Sequence, residues 1–311
     1  MSKRNRQDFE YIKLITNSEE IFTEEKAKAM KLHHQQHEDN DIFSDDICFE
    51  IISMLDDSWF ILNNCTLISK QFCQVIKERS KLVIQFKKPL TERRVELLRK
   101  SQFMNCIVNV KFNEMLLELR ENIKFISEMK QLTSLDVSDN EIGNVGAKHI
   151  SEMKQLTSLN ICNNRIGDEG AKFISEMQQL TLLDISDNHI GDKGVKFISE
   201  MKQLTSFNIS DDLIGNVGAK SISEMQQLTS LDVSDNHIGD SGVKFISEMK
   251  QLTSLNIAIN RVGDEGAKLI SEMKQLRSLN ISDNELGDEG VKFISEMKQL
   301  RSNCLGIVQQ N

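Results

Sequence analysis

From Leu132 onward the apolar positions of this chain recur every 24 residues, a period far longer than that of a single helix or strand. One unit reads LTSLDVSDNEIGNVGAKHISEMKQ and the next LTSLNICNNRIGDEGAKFISEMQQ. The leading leucines fall at Leu132, Leu156, Leu180, Leu204, Leu228, Leu252, Leu276 and Leu300. Within a unit, Leu135 and Val137 alternate with Asp136 and Ser138, which predicts a short strand with one apolar and one polar face. Gly143 permits a bend, and Ile142 returns the chain to the core. Gly146 and Ala147 then let a helix pack closely against the sheet. Ala147, Ile150 and Met153 stand at helical spacing, leaving Lys148, Ser151, Glu152 and Lys154 for water. Each unit is thus a strand, a bend and a short helix, and it cannot bury its apolar face without stacked neighbours.

One polar column runs through this pattern. Asn140, Asn164, Asn188, Asn236, Asn260 and Asn284 follow the strands, and only Asp212 breaks the series. An asparagine amide both donates and accepts, so it can satisfy backbone groups of its own turn and of the adjacent unit.

Two less regular units precede the array. Residues 82–86 (LVIQF) read as a strand, Pro89 as a break and TERRVELLRK as a short helix. Residues 107–112 (IVNVKF) read as a second strand, followed by LLELRENIKFISEM. At the other end the last unit decays into LRSNCLGIVQQN, with Asn303 where a leucine belongs and no polar capping helix after it. Such an end is expected to expose strand edge and apolar surface.

The units resemble the leucine-rich-repeat family, in its 24-residue class with a G-A-x-x-[LI] helix start, here Gly146-Ala147-Lys148-His149-Ile150. The resemblance implies an α/β solenoid, a horseshoe with parallel strands on its concave side and helices on its convex side. Nine or so strands spaced about 4.8 Å apart would give a concave strip roughly 40 Å long.

Residues 1–41 are highly charged and read as a largely mobile segment. His33, His34 and His37 within it lack a second ligand cluster and read as a solvated run rather than a metal site. Residues 42–79 differ: Ser44 is a plausible helix cap, and Ile47, Ile51 and Leu55 follow at helical spacing. Two further helical stretches carry Trp59, Phe60 and Leu62, then Leu67, Ile68, Phe72, Val75 and Ile76. So short a helical triplet needs another surface to bury these groups.

This segment is similar to an F-box, in its start Phe43-Ser44-Asp45-Asp46 and its block Leu67-Ile68-Ser69-Lys70-Gln71-Phe72. It departs from that pattern in placing Ser44 where the opening proline belongs and Asn63-Asn64 in the central helix. An F-box followed directly by leucine-rich repeats is a known domain order. The resemblance implies a substrate-recognition subunit of a Skp-cullin-F-box ubiquitin ligase. Phe43, Ile47, Ile51, Leu55, Leu67, Ile68 and Phe72 would meet the Skp-type adaptor that leads to cullin, and the repeats would hold the target protein. The alternative is a scaffold or inhibitor-type binding protein with no ubiquitin-ligase role, in which residues 42–79 only cap the repeats. A third reading is a degenerate member of an expanded family. The expected organisation is therefore 1–41 charged segment, 42–79 F-box-like helical domain, 80–131 two irregular repeats, 132–299 seven regular repeats and 300–311 a truncated repeat and tail.

The concave strip that the family implies would be small, polar and acidic. Its central column is Asp136, Asn160, Asp184, Asn208, Asp232, Asn256 and Asn280, and a flanking column supplies Asp139, Asp187, Asp211, Asp235 and Asp283. One reading is capture of a basic protein segment, weakened by salt. The other is that these residues are turn formers. Variation between units is greatest at Glu141, Arg165, His189, Leu213, His237, Arg261 and Glu285, and at Val145, Glu169, Lys193, Val217, Ser241, Glu265 and Glu289, which is where specificity would lie.

Composition narrows the classes. Aromatics are 5%, with one Trp, one Tyr and one Pro, which suits an aliphatic stack. A formal charge of −9 argues against nucleic acid as the main ligand. No stretch matches a membrane span, and the charged N-terminus is unlike a signal peptide. The six cysteines form no C-x-x-C pair and read as reduced thiols in a cytoplasmic or nuclear protein. No hydrolase elbow, phosphate loop or zinc-protease motif is present, so neither an enzyme nor a cofactor is expected.

Overall fold

A computed structural model describes residues 82–86, Val95, residues 107–112, 124–300 and 305–306. Two units divide them: β1 (Leu82–Phe86) as far as Gln85, Val95 and residues 107–109 fall in the first, and Val110 onward in the second. β1 and β2 (Ile107–Phe112) are extended where the sequence places them, and Val95 is helical and buried. The segments 1–41 and 42–79 lie outside the described residues, and with them the histidine run and Phe43, Ile47, Ile51, Leu55, Leu67, Ile68 and Phe72.

The second unit holds the regular array. Strands β3 (Ser134–Asp136), β4 (Ser158–Asn160), β5 (Leu182–Asp184) and β6 (Ser206–Asn208) are followed by β7 (Ser230–Asp232), β8 (Ser254–Asn256) and β9 (Ser278–Asn280). Between and after them come α1 (Gly143–Ser151), α2 (Gly167–Ile174), α3 (Asp192–Ile198), α4 (Asn216–Ser223), α5 (Asp240–Ser247), α6 (Asp264–Ser271) and α7 (Asp288–Ser295). Neighbouring strands are parallel and keep the 24-residue step, so Leu135, Leu159, Leu183, Phe207, Leu231, Leu255 and Leu279 form one row. β10 (Leu305–Gly306) sets Leu305 opposite Leu279. The strand position that Asn303 would hold by strict period is therefore taken two residues later.

A parallel pair needs a crossover of a dozen residues or more, and here a helix of two to three turns supplies it. Helices this short are unstable alone, so packing must hold them. Leu132, Leu135, Val137, Ile142, Ala147, Ile150 and Met153 of the first regular unit are all buried, as are their counterparts in the units that follow, with Leu286 and Val291 of the last one half-buried. Each large aliphatic side chain removed from water stabilises by about 1.5–3 kcal/mol. Ser151 departs from its expected place in water: it is buried, with its hydroxyl donating to the Lys148 carbonyl of its own helix at 2.7 Å. That bond removes the need for water.

The helices are capped across the repeat boundary. Gly191, at the start of α3, has no side chain to cap with, and the Asp168 carboxylate of the preceding helix accepts both the Gly191 and Gly194 N–H groups at 2.9 Å. Asp192, Asp240 and Asp264 repeat this for α4, α6 and α7, while the Asn216 amide oxygen accepts the Gly239 N–H before α5. These bonds satisfy N–H groups that a helix start leaves orphaned. The bend expected at Gly143 needs a left-handed glycine only in the first two units, at Gly143 (φ 60°) and Gly167 (φ 61°). From Gly191 onward the same position is extended.

Candidate functional site

Three polar layers flank the strands. The innermost is the asparagine column. Asn188 donates to the carbonyls of Ile161, Ile185 and Ser186 at 2.8–2.9 Å, and its oxygen accepts the Asn164 and Ile166 N–H groups at 2.9 and 3.2 Å. Asn164, Asn236, Asn260 and Asn284 repeat the three donor bonds. Each therefore ties its own turn to the preceding unit, as its two-sided chemistry leads one to expect.

The second layer is the column Asp136, Asn160, Asp184, Asn208, Asp232, Asn256 and Asn280, which the strand register brings side by side. Its alternation has a physical basis. Aspartates on adjacent strands would repel. Here Asn208 donates to Asp184 at 3.1 Å and Asn256 to Asp232 at 2.8 Å. The other carboxylate oxygen of Asp184 and of Asp232 accepts from Ser186 and Ser234. At the N-terminal end Asp136 accepts from the Lys111 ammonium at 2.7 Å, a bond and charge that raise the lysine pKa. Asn160 and Asn280 accept the N–H groups of Cys162 and Ser282. Burial pushes the half-buried, unpaired Cys162 thiol up, away from the reactive thiolate.

The third layer is a column of left-handed residues: Asp139, Asn163, Asp187, Asp211, Asp235 and Asp283 all have φ between 51° and 59°. Asp and Asn tolerate this conformation best among residues with side chains. Ile259 occupies the same column at φ 52° and is 48% exposed. A β-branched residue there is strained by about 1–2 kcal/mol. Ile259→Asn is accordingly expected to stabilise the protein by about 1 kcal/mol, read from the urea midpoint.

Beyond these layers stand the variable columns. Glu141, Arg165, His189, His237, Arg261 and Glu285 are exposed. Charges there pair between units, Arg165 with Glu141 at 3.0 Å and Lys193 with Glu169 at 3.6 Å. Leu213 (58% exposed) and Val217 (66%) break this charged rim with apolar side chains.

The cross-repeat caps escaped sequence reasoning, although an Asp at the helix start with a Gly 23 residues later was a legible signal. So did the contacts of the Lys148, Lys172 and Lys220 ammonium groups with the rings of Phe173, Phe197 and Phe245, at 5.8–5.9 Å. Among the described residues no group of His, Cys, Asp and Glu could hold a metal, and no helix is long and apolar enough to cross a membrane.

This combination, a parallel strand and a helix per 24-residue unit with an asparagine ladder between them, defines a repeat scaffold. Leucine-rich-repeat family models match residues 130–190 and 178–238, and further ones match 250–271 and 274–295. Over these residues the chain carries leucine-rich repeats, and their asparagine column serves the backbone. No curated protein matches the sequence. Among solved structures, an internalin (inlF) of Listeria monocytogenes is 20% identical, with a TM-score of 0.57 over 76% of this chain and 64% of its own. An internalin C2 (inlC2) of the same organism is 19% identical, with a TM-score of 0.49 over 60% of this chain and 75% of its own. The likeness to inlF is one of fold.

Proposed function

We propose that the chain is a protein-binding scaffold of the 24-residue leucine-rich-repeat class, gripping its target along the polar sheet face and the rim beside it. Ile259 carries this reading. An apolar, β-branched side chain stands 48% exposed in a left-handed turn where neighbouring units carry Asp or Asn. Such strain on an exposed apolar side chain points to a position kept for contact. Leu213 and Val217 supply further apolar area on the rim. The Asp136 to Asp283 acids around them favour a target with a basic segment, although much of their hydrogen-bonding capacity is already used within the sheet.

A finer reading makes the scaffold the substrate receptor of a Skp-cullin-F-box ubiquitin ligase in the cytoplasm or nucleus. Residues 42–79 would dock on the adaptor, and residues 132–299 would hold the target. Its support is the Leu67-Ile68-Ser69-Lys70-Gln71-Phe72 block ahead of the repeats.

Affinity capture with the full chain tests both readings. The Ile259→Asn and Leu213→Asp variants are expected to lose the captured target while Ile259→Asn gains stability. Equal capture by all three proteins would remove the rim from the site. A purified Skp-type adaptor is expected to bind the chain and both rim variants but not a folded Leu67→Asp, Ile68→Asp double variant. Absence of adaptor binding by the unaltered chain would leave the plain scaffold.

A further inference from the structure

Asp212 stands in the asparagine column, 5% exposed, and its carboxylate does only half of the column's work. Its Oδ1 accepts the Asn188 and Ile190 N–H groups at 3.1 and 2.7 Å, as the asparagine oxygens do elsewhere. Its Oδ2 is buried without a hydrogen-bond partner. In Asn188, Asn236 and Asn260 the corresponding atom is the amide nitrogen, which donates to three carbonyls. By the 24-residue correspondence with Asn188, the carbonyls due to Asp212 are those of Ile185, Ile209 and Ser210. An ionised carboxylate would point a charged oxygen at other oxygens, whereas a protonated acid would offer a hydrogen.

The charged side chains that act on this group are Asp187, from the preceding unit, and Asp211 beside it in the chain. Both are negative, so neither can offset a buried carboxylate charge.

We infer that Asp212 folds as a neutral carboxylic acid whose single O–H donates to one of these carbonyls, and that its ionisation loosens the repeat stack at the fourth regular unit. Burial, together with the two neighbouring aspartates, moves the Asp212 pKa from 3.8 to about 8, against the pull of the two N–H bonds. Folding therefore raises the group's pKa. Its contribution is fully present below pH 4, declines as pH rises between the unfolded and folded values, and is lost above about 8. Because each unit contacts only its neighbours, one weakened joint in mid-array divides the cooperative stack.

Urea unfolding of the full chain and of Asp212→Asn, followed at pH 5 and pH 9, tests this. From pH 5 to pH 9 the folded-to-unfolded ratio of the unaltered chain is expected to fall on the order of a thousandfold relative to that of Asp212→Asn. Carboxyl ¹³C spectra should show one aspartate resonance, absent from Asp212→Asn, that titrates well above the ordinary carboxylate range. Parallel stability profiles for the two proteins, or an Asp212 resonance titrating near pH 4, would overturn the inference.

Discussion

Replacing Asn188 by Ala is expected to cost about 4 kcal/mol, more than any other single side-chain truncation in the polar layers. The amide serves five buried backbone groups: the carbonyls of Ile161, Ile185 and Ser186 and the N–H groups of Asn164 and Ile166. A buried polar group left without a partner costs about 1–3 kcal/mol, and some of the five keep a second bond. The Ser186 carbonyl still accepts from Asn163, for example. The remainder is large against the roughly 5–15 kcal/mol that holds a domain together. Asn208→Ala is the control. Its side chain is half-buried, and water can replace its bond to Asp184, so a loss under about 1 kcal/mol is expected. Urea unfolding by circular dichroism at neutral pH measures both. A small loss for Asn188→Ala would mean that water enters and takes over the ladder.

Gly194→Ala is expected to destabilise by about 2 kcal/mol, against the direction that helix propensity gives. Glycine to alanine inside a helix normally gains about 1 kcal/mol. At Gly194, however, a Cβ would lie 2.6 Å from the Asp168 carboxylate oxygen, 2.6 Å from Ile190 Cγ2 and 3.1 Å from the Asp168 Cα. The first of these is the oxygen that caps α3, so relieving the clash breaks the cap, worth about 1 kcal/mol. Overpacking against Ile190 and the Asp168 backbone adds about 1–3 kcal/mol. Adding Asp168→Ala should return part of the loss, making the two substitutions non-additive. Thermal or urea unfolding of the two single variants and the double variant gives the coupling. Simple additivity would show that the carboxylate moves aside at no cost.

The two predictions probe different levels of legibility. The asparagine ladder could be read from the chain because its donors and acceptors answer to a fixed sequence period, and Asp212 stood out as its one exception. The leucine row, with Phe207 in the place of one leucine, was legible for the same reason. The core columns were too, since a 24-residue repeat leaves each apolar position one way to face its neighbour. Ser151 was misplaced because polarity suggested water, while the carbonyl that accepts its hydroxyl belongs to the helix itself.

What periodicity could not reveal is how a polar side chain is used once neighbours stack. Asp184 is acidic in any reading of the sequence. Only the parallel register puts the Asn208 amide against one of its oxygens and leaves Ser186 on the other. Asp168 looks like a surface residue of its own helix, yet the stacked geometry makes it the cap of the next. The sequence by itself determined the repeat, its length, its strand and helix, and which side chains form the core, because burial of periodic apolar positions is a local rule repeated. The tertiary structure alone decided which polar groups meet across units and which side chains, like Ile259, stand strained and exposed. Those outcomes depend on distances between residues 22 to 27 positions apart, which stacking sets.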